Sequence, residues 1–451
     1  MGSLPPGPRF ALVQSVEVMR DPFGYYSALF ERFADPVTLP TMNGTVVITS
    51  HPDGIKEIFA ARPDTFAPFG VDALMPLLGK RSVLVVSGQD HTSRRKLMSP
   101  PFHGERMHRF GRIFQKAARQ AMARVVPNVP FRMHDVTGVI TLDAIVQAVF
   151  GIRDPREIAE WTRSLAMLMQ SVSPAAIFMT FLQNPLFPPW KRFEAARNET
   201  NRLIHQEIQR RRAAPDEDRP DILGMLLQAR FEDGGGMDDT ELRDQLITLL
   251  AAGHETTATS LAWAFYWLER NPDIKARLLA EVTALGPDPD PMKVAGLPLL
   301  EAVCMETLRL YPILPDVIRK VVKPFTLRGH EIPVGVHVGV SIAAAHTNPE
   351  VFPDPHTFNP DRFIGHTFSP FQFMPFGGGA RRCMGAAFAM YEMKTVLATV
   401  LTEQRLKLAR TTEIRPVRRN VTMGPEGGVE MVLMEQGGLR GSAPQERAGA
   451  A

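Results

Sequence analysis

Residues 242 to beyond 268 constrain the architecture most. Asp238 with Glu241 three residues later resembles a helix N-terminal capping arrangement, and the apolar pattern that follows is longer than a usual globular helix. Between 246 and 252 it is apolar on every side, which places such a helix through the middle of a core rather than on a surface. Enclosing it takes a large chain, and 451 residues that are 44% hydrophobic and 22% charged supply one. The same composition excludes disordered, collagen-like and coiled-coil architectures. Lys and Arg number 51 against 48 Asp and Glu, a formal net charge of +3 that gives no general affinity for nucleic acid or acidic membranes.

Around that helix the pattern is mostly helical. Pro5, Pro6 and Pro8 make a stiff entry with no secretory or anchoring pattern before it. No uncharged apolar run reaches about eighteen residues, the minimum for a spanning helix; the nearest, 136–151, is interrupted by Asp143 and Gln147. Segments 45–49 and 82–87, rich in Val and Ile, predict strands. Helical pattern fills 89–212, broken at Pro100-Pro101 and across 184–190, and loops are expected at 213–220 and 234–236. A further helix is predicted over 299–310, then short strands alternating with turns to about 370, then a glycine-rich loop at 376–385 that opens a last helix to about 401. The tail from Glu435, rich in Gly, Ala, Ser and Pro, reads as disordered. With no repeat and no linker, the expectation is one mainly α domain with a small β part over 1–434, soluble and cytoplasmic.

Two cysteines cannot build a disulfide framework, which points to a reducing compartment. Cys304, among apolar neighbours in mid-helix, reads as a small buried hydrophobe. Cys383 differs: it follows Gly377-Gly378-Gly379-Ala380-Arg381-Arg382 and precedes Met384-Gly385 and a helix. Consecutive glycines let backbone approach a flat partner, and a helix N-terminus with two arginines favours a thiolate. A redox pair needs a second Cys, a zinc site needs Cys or His at short spacing, and a nucleophile wants a nearby His; none is there. A single thiolate ligating haem iron fits, with the macrocycle on the glycine loop and its propionates meeting arginines.

The pattern Phe376-x-x-Gly379-x-Arg381-x-Cys383-x-Gly385 resembles the haem-binding signature of the cytochrome P450 superfamily, the haem-thiolate monooxygenases. The resemblance implies that Cys383 is the iron ligand and that Phe376, Gly377, Arg381 and Gly385 border the haem. Three further elements occur in the family's order, so it covers essentially the whole chain. Glu306 and Arg309, followed by Phe358-Asn359-Pro360-Asp361-Arg362-Phe363, resemble the family's buried Glu-Arg-Arg triad, a structural feature. Ala252-Gly253-His254-Glu255-Thr256-Thr257 is similar to the oxygen-binding groove, where the central helix opens. Thr256 is implied to hydrogen-bond dioxygen and Glu255 to relay protons, with His254 turned away. His91 and Arg95, four apart on one helix face, resemble the propionate-binding helix. Arg319 and Arg381 match further propionate positions.

The implied fold is a single-domain cytochrome P450 fold, with the long central helix over the haem and the cysteine loop beneath it. The implied reaction inserts one atom of O2 into a lipophilic substrate, a fatty acid, terpenoid, steroid or polyketide. The pocket regions the family assigns, 66–78, 165–187, 249–252, 313–317 and 421–424, are apolar. The implied cofactor is haem b (iron protoporphyrin IX). Electrons are expected from separate proteins, a ferredoxin and its reductase, docking near Arg94, Lys96, Arg109, Arg112 and Arg382. The expected enzyme is monomeric and bacterial in type, without nucleic acid or a membrane anchor. Two alternatives are a peroxide-driven hydroxylase or redox-neutral isomerase, against which the Glu255-Thr256 pair argues, and a non-catalytic haem-thiolate ligand sensor.

Overall fold

Asp238 caps the central helix as its spacing predicts: its side chain accepts the Glu241 backbone N–H at 2.9 Å, and the helix runs from Asp239 to Arg270. At 1.5 Å per residue that is a rod of about 48 Å. The computed structural model describes residues 4–102, 104–172, 179–214, 221–419 and 421–435. The expected tail beyond Glu435, most of the 213–220 loop and residues 173–178 of the 165–187 segment lie outside the described residues.

Leu246, Ile247 and Leu250 of the central helix are almost fully enclosed. The helix Met133–Phe150 lies along it, joined by a polar seam. His134 Nε2 meets Thr259 Oγ1 at 3.1 Å, Thr137 Oγ1 donates to the Ala258 carbonyl at 2.8 Å, and Thr141 Oγ1 meets His254 Nδ1 at 2.9 Å. Residues 134, 137 and 141 share one helix face, so three polar groups fix the register of two otherwise apolar helices. At Gly253 they pack tightly: a Cβ there would lie 3.1 Å from Ile145 Cδ1. Met133–Phe150 has the length and apolarity of a membrane span, yet most of it is buried inside the protein. Beneath the central helix run Pro298–Leu310 and Ala386–Glu403.

The main sheet has the order Val37–Thr41, Gly44–Thr49, His337–Ser341, Asp316–Val321, Phe66–Pro68; Gly44–Thr49 and His337–Ser341 pair in parallel and the rest antiparallel. It sews the first seventy residues to the second half of the chain and presents Arg319, paired in register with Pro68. Near the C-terminus a hairpin, Pro416–Arg419 with Thr422–Pro425, lies against the central helix.

Two expectations change, and two strands appear where none was expected. The strand over 82–87 is a set of turns, because its backbone is claimed by the central helix. Val83 N–H donates to Gln245 Oε1 at 3.0 Å, Gln245 Nε2 donates to the Arg81 carbonyl at 2.6 Å, and Ser82 Oγ meets Thr248 Oγ1 at 2.7 Å. With those groups satisfied, no strand partner is needed. The alternating strands expected up to about 370 stop at Ser341, after which turns and short helices carry the chain to the cysteine loop. The strands Val37–Thr41 and Phe66–Pro68 were not legible, each carrying a proline that a sequence reading takes against a strand.

Candidate active site

The glycine loop closes on itself before the last helix begins. Cys383 N–H donates to the Phe376 carbonyl at 3.0 Å, and Gly377 N–H donates to the Met374 carbonyl at 2.9 Å. Gly377 and Gly379 have φ of 64° and 66°, the left-handed region where a side chain is strained. Gly378 and Gly379 have a second reason: a Cβ on them would fall 2.1 Å from the Phe59 ring and 2.3 Å from the Phe59 carbonyl oxygen. So these two glycines admit the end of the helix Pro52–Ala60.

Cys383 lies two residues before Gly385, the N-cap of Ala386–Glu403. Its side chain is accessible, and the Gly385 N–H is aimed at the sulfur. Enclosure by surrounding protein pushes the thiol up, outweighing the Gly385 amide and the nearby Arg382 and Arg95 guanidiniums.

His91, Arg319 and Arg381 line one small cavity with Phe59 and Gly378. Arg381 is held from behind, its Nη2 donating to the Val86 carbonyl at 2.5 Å. Arg319 Nη2 donates to the Gly378 carbonyl at 3.2 Å. Burial first, and Arg381 second, lower Arg319 to about 10; burial, then Arg95, lower Arg381 to about 10. Burial and the guanidiniums of Arg381, Arg95 and Arg319 push His91 down to about 4, leaving it neutral at neutral pH. Arg95, one turn beyond His91 on Gly88–Met98, is lowered by burial and held up by Cys383. Among the described residues, none of these three arginines has an ion-pair partner. Crowded, part-buried guanidiniums without a carboxylate require an anion. A haem fits this donor set: one accessible thiol for iron, and a cationic cluster beside it for two propionates.

On the central helix, the segment Ala252 to Thr257 stays helical, where the sequence led us to expect an opening. Thr256 Oγ1 donates back to the Ala252 carbonyl at 2.8 Å and Thr257 Oγ1 to that of Gly253 at 3.3 Å. Ala252 is exposed and Thr256 partly so. His254 turns into the core against Thr141, and burial drives it down to about 4. Glu255 faces two groups that sequence reasoning missed, the His134 imidazole and the Arg419 guanidinium, both far from it in sequence.

The triad Glu306, Arg309 and Arg362 assembles as expected. Arg309 Nε and Nη2 donate to the two Glu306 oxygens at 2.6 and 2.9 Å, and Arg362 Nε donates to Oε1 at 3.1 Å. Arg309 also donates to the carbonyls of His346, Pro355 and Thr357, and His346 Nε2 accepts the Met374 N–H at 2.9 Å. The network thus hands position from a core helix to the start of the cysteine loop.

The cations expected to greet an electron donor are mostly spent within the protein. Arg94 pairs with Asp90 and Glu241, Lys96 with Glu232, and Arg112 with Asp288. Arg109 and Arg382 have no ion-pair partner among the described residues. Arg382 borders a groove of about 540 Å³ that includes Met305, Phe371, Phe373, Phe376 and Met390.

The family model described as Cytochrome P450 matches residues 1–429. A Mycobacterium tuberculosis protein designated cytochrome P450 135B1 is 38% identical over 438 residues, spanning 95% of this chain and 91% of its own. Another from that organism, designated cytochrome P450 137, is 35% identical across 89% of this chain and 84% of its own. Among solved structures, the cytochrome P450DA heme domain aligns with a TM-score of 0.84 over 96% of this chain and 97% of its own, at 23% identity. Retinoic acid bound cyanobacterial CYP120A1 aligns with a TM-score of 0.84 over 95% and 98%, at 22%. Those two likenesses speak for the fold.

Proposed function

Because the chain belongs to the cytochrome P450 family, whose members are haem monooxygenases, we propose that it inserts one atom of O2 into a lipophilic substrate, using haem b held through Cys383. The observation that carries this is the accessible Cys383 sulfur beside three arginines that lack a carboxylate partner. Bound there, haem supplies dioxygen activation. The protein's own part is to place charge and protons. The Gly385 N–H donates to the sulfur and tempers its basicity. Arg95, Arg319 and Arg381, with His91 as a neutral hydrogen-bonding group, fix the cofactor's carboxylates.

Ala252 and Gly253 keep their face of the central helix low, since neither carries a side chain larger than a methyl group. Thr256 Oγ1 holds a proton on that helix and parks it on the Ala252 carbonyl. Rotation of that hydroxyl would free its proton for the chemistry that haem would supply, and Glu255 would replenish it. The apolar character of segments 66–78, 249–252, 313–317 and 421–424 favours a fatty acid, terpenoid, steroid or polyketide. Electrons come from a ferredoxin and its reductase, for which Arg382 and the apolar groove beside it offer a docking surface. The reading extends to a cytoplasmic, monomeric enzyme, in keeping with two cysteines that are both free.

Displacement of the water on ferric haem by members of a lipophilic library identifies substrates, and turnover of the hits tests the proposal. With Thr256→Ala, reductant is still consumed, while product per electron pair falls by roughly an order of magnitude and peroxide rises to match. Coupling equal to the parent enzyme removes Thr256 from proton delivery.

A further inference from the structure

Glu255 is the centre of a cluster built from three separate parts of the chain. Its Oε1 lies 3.5 Å from His134 Nε2, at the start of Met133–Phe150, and 3.3 Å from Arg419 Nε, at the end of the strand Pro416–Arg419. His134 is 4% exposed and is itself held by Thr259 Oγ1, one helical turn beyond Glu255. Arg419 reaches the cluster by crossing its own hairpin, and the crossing is possible because the strand opposite has a glycine. A Cβ at Gly424 would lie 2.7 Å from Arg419 Cδ, and 3.4 Å from Thr259 Cγ2. The Glu255 and Arg419 side chains are 32% and 39% accessible, so the cluster opens to solvent on its hairpin side while its His134 side is closed.

Resting on the monooxygenase reading, we propose that His134 and Arg419 are positioning residues that clamp the Glu255 carboxylate at the junction of central helix and C-terminal hairpin, directing proton uptake through the hairpin side. The arrangement has the parts this needs. Arg419 supplies a permanent charge at the solvent edge, and His134 supplies a nitrogen whose hydrogen-bond partner, Thr259, fixes its ring. Gly424 supplies the passage. The titratable or charged groups facing Glu255 are His134 from the neighbouring helix, Arg419 from the hairpin and His254 from its own helix; together they hold Glu255 below the usual carboxylate range despite burial, which acts the other way. A carboxylate so held stays charged at neutral pH and is pinned by two contacts, so it exchanges protons without swinging away from Thr256.

The test is an infrared titration of the ferric, haem-loaded protein, with the Glu255 carboxyl band assigned by difference against Glu255→Gln. Arg419→Gln is expected to raise the Glu255 midpoint by about one pH unit, and Arg419→Lys to restore it. Gly424→Ala is expected to act like Arg419→Gln, because the added methyl group expels the arginine stem. His134→Leu is expected to raise the midpoint as well; should it fail to fold, the two hairpin variants decide. A midpoint that stays at the parent value in both Arg419→Gln and Gly424→Ala overturns the clamp. In turnover, Arg419→Gln is expected to lower kcat by about tenfold with KM within about twofold, a pattern that loosened packing does not give. A protein that takes up no haem overturns the monooxygenase reading instead and leaves these midpoints to be judged on their own.

Discussion

In Cys383→Ser, the strongly red-shifted Soret band of the reduced, carbon monoxide-treated protein is lost altogether. That band reports thiolate ligation, and a serine hydroxyl neither ionises near neutral pH nor donates electron density as sulfur does. The loop itself should survive the change. The bond from the residue 383 N–H to the Phe376 carbonyl is backbone, and the turn depends on Gly377, Gly378 and Gly379 rather than on the thiol. Far-ultraviolet circular dichroism and the denaturation midpoint therefore stay near those of the parent while the chromophore changes. A band that persists at full height assigns the iron to another ligand. Cys304 is no rescue: it is fully enclosed in Pro298–Leu310, and burial pushes its thiol up to about 12.

The second large effect lies away from the chemistry. Glu306→Gln is expected to destabilise the protein by about 3–5 kcal/mol, read as a lowered denaturant midpoint, together with faster loss of haem. Glu306 is completely enclosed and its two oxygens accept four hydrogen bonds, two from Arg309, one from Arg362 and one from the Asn359 N–H. An amide presents one accepting atom in place of two, and turns an N–H toward a guanidinium that is also enclosed. Arg309 is then left charged and short of a partner, with only the carbonyls of His346, Pro355 and Thr357 to hold it. Because His346 receives the Met374 N–H, the disturbance reaches the entry to the cysteine loop. An unchanged midpoint with unchanged haem retention shows that the triad is dispensable.

What was legible in the sequence follows from how local each signal is. The central helix announces itself through an all-round apolar run and an Asp238 cap, both readable within a few turns. The cysteine loop is as readable, since its glycines, arginines and sulfur lie within ten residues. The Glu306–Arg309 pair is legible at one-turn spacing, and Arg362 follows from the family's order. By contrast, His134 and Arg419 carry no signal next to Glu255, because they lie 121 and 164 positions away from it along the chain. The 82–87 segment misled for a related reason. Its Val content favours a strand, but Gln245 of the central helix takes the Val83 N–H and the Arg81 carbonyl while Thr248 takes the Ser82 hydroxyl, and nothing nearby in sequence reports that. Arg94, Lys96 and Arg112 read as a basic face, yet each finds an acid on a neighbouring element, so charge counted along the chain overstates charge presented to a partner.

Those turns between Arg81 and Val86 have one more effect. At one end, side chains of the central helix grip them through Gln245 and Thr248; at the other, their carbonyls at Leu84 and Val86 receive Arg381 from the cysteine loop. The segment is a strut of fixed length between the ceiling and the floor of the active site. It works like a caliper, setting the gap that a flat guest must fill, so inserting or deleting one residue there changes the spacing between the two walls while leaving each wall's own structure intact.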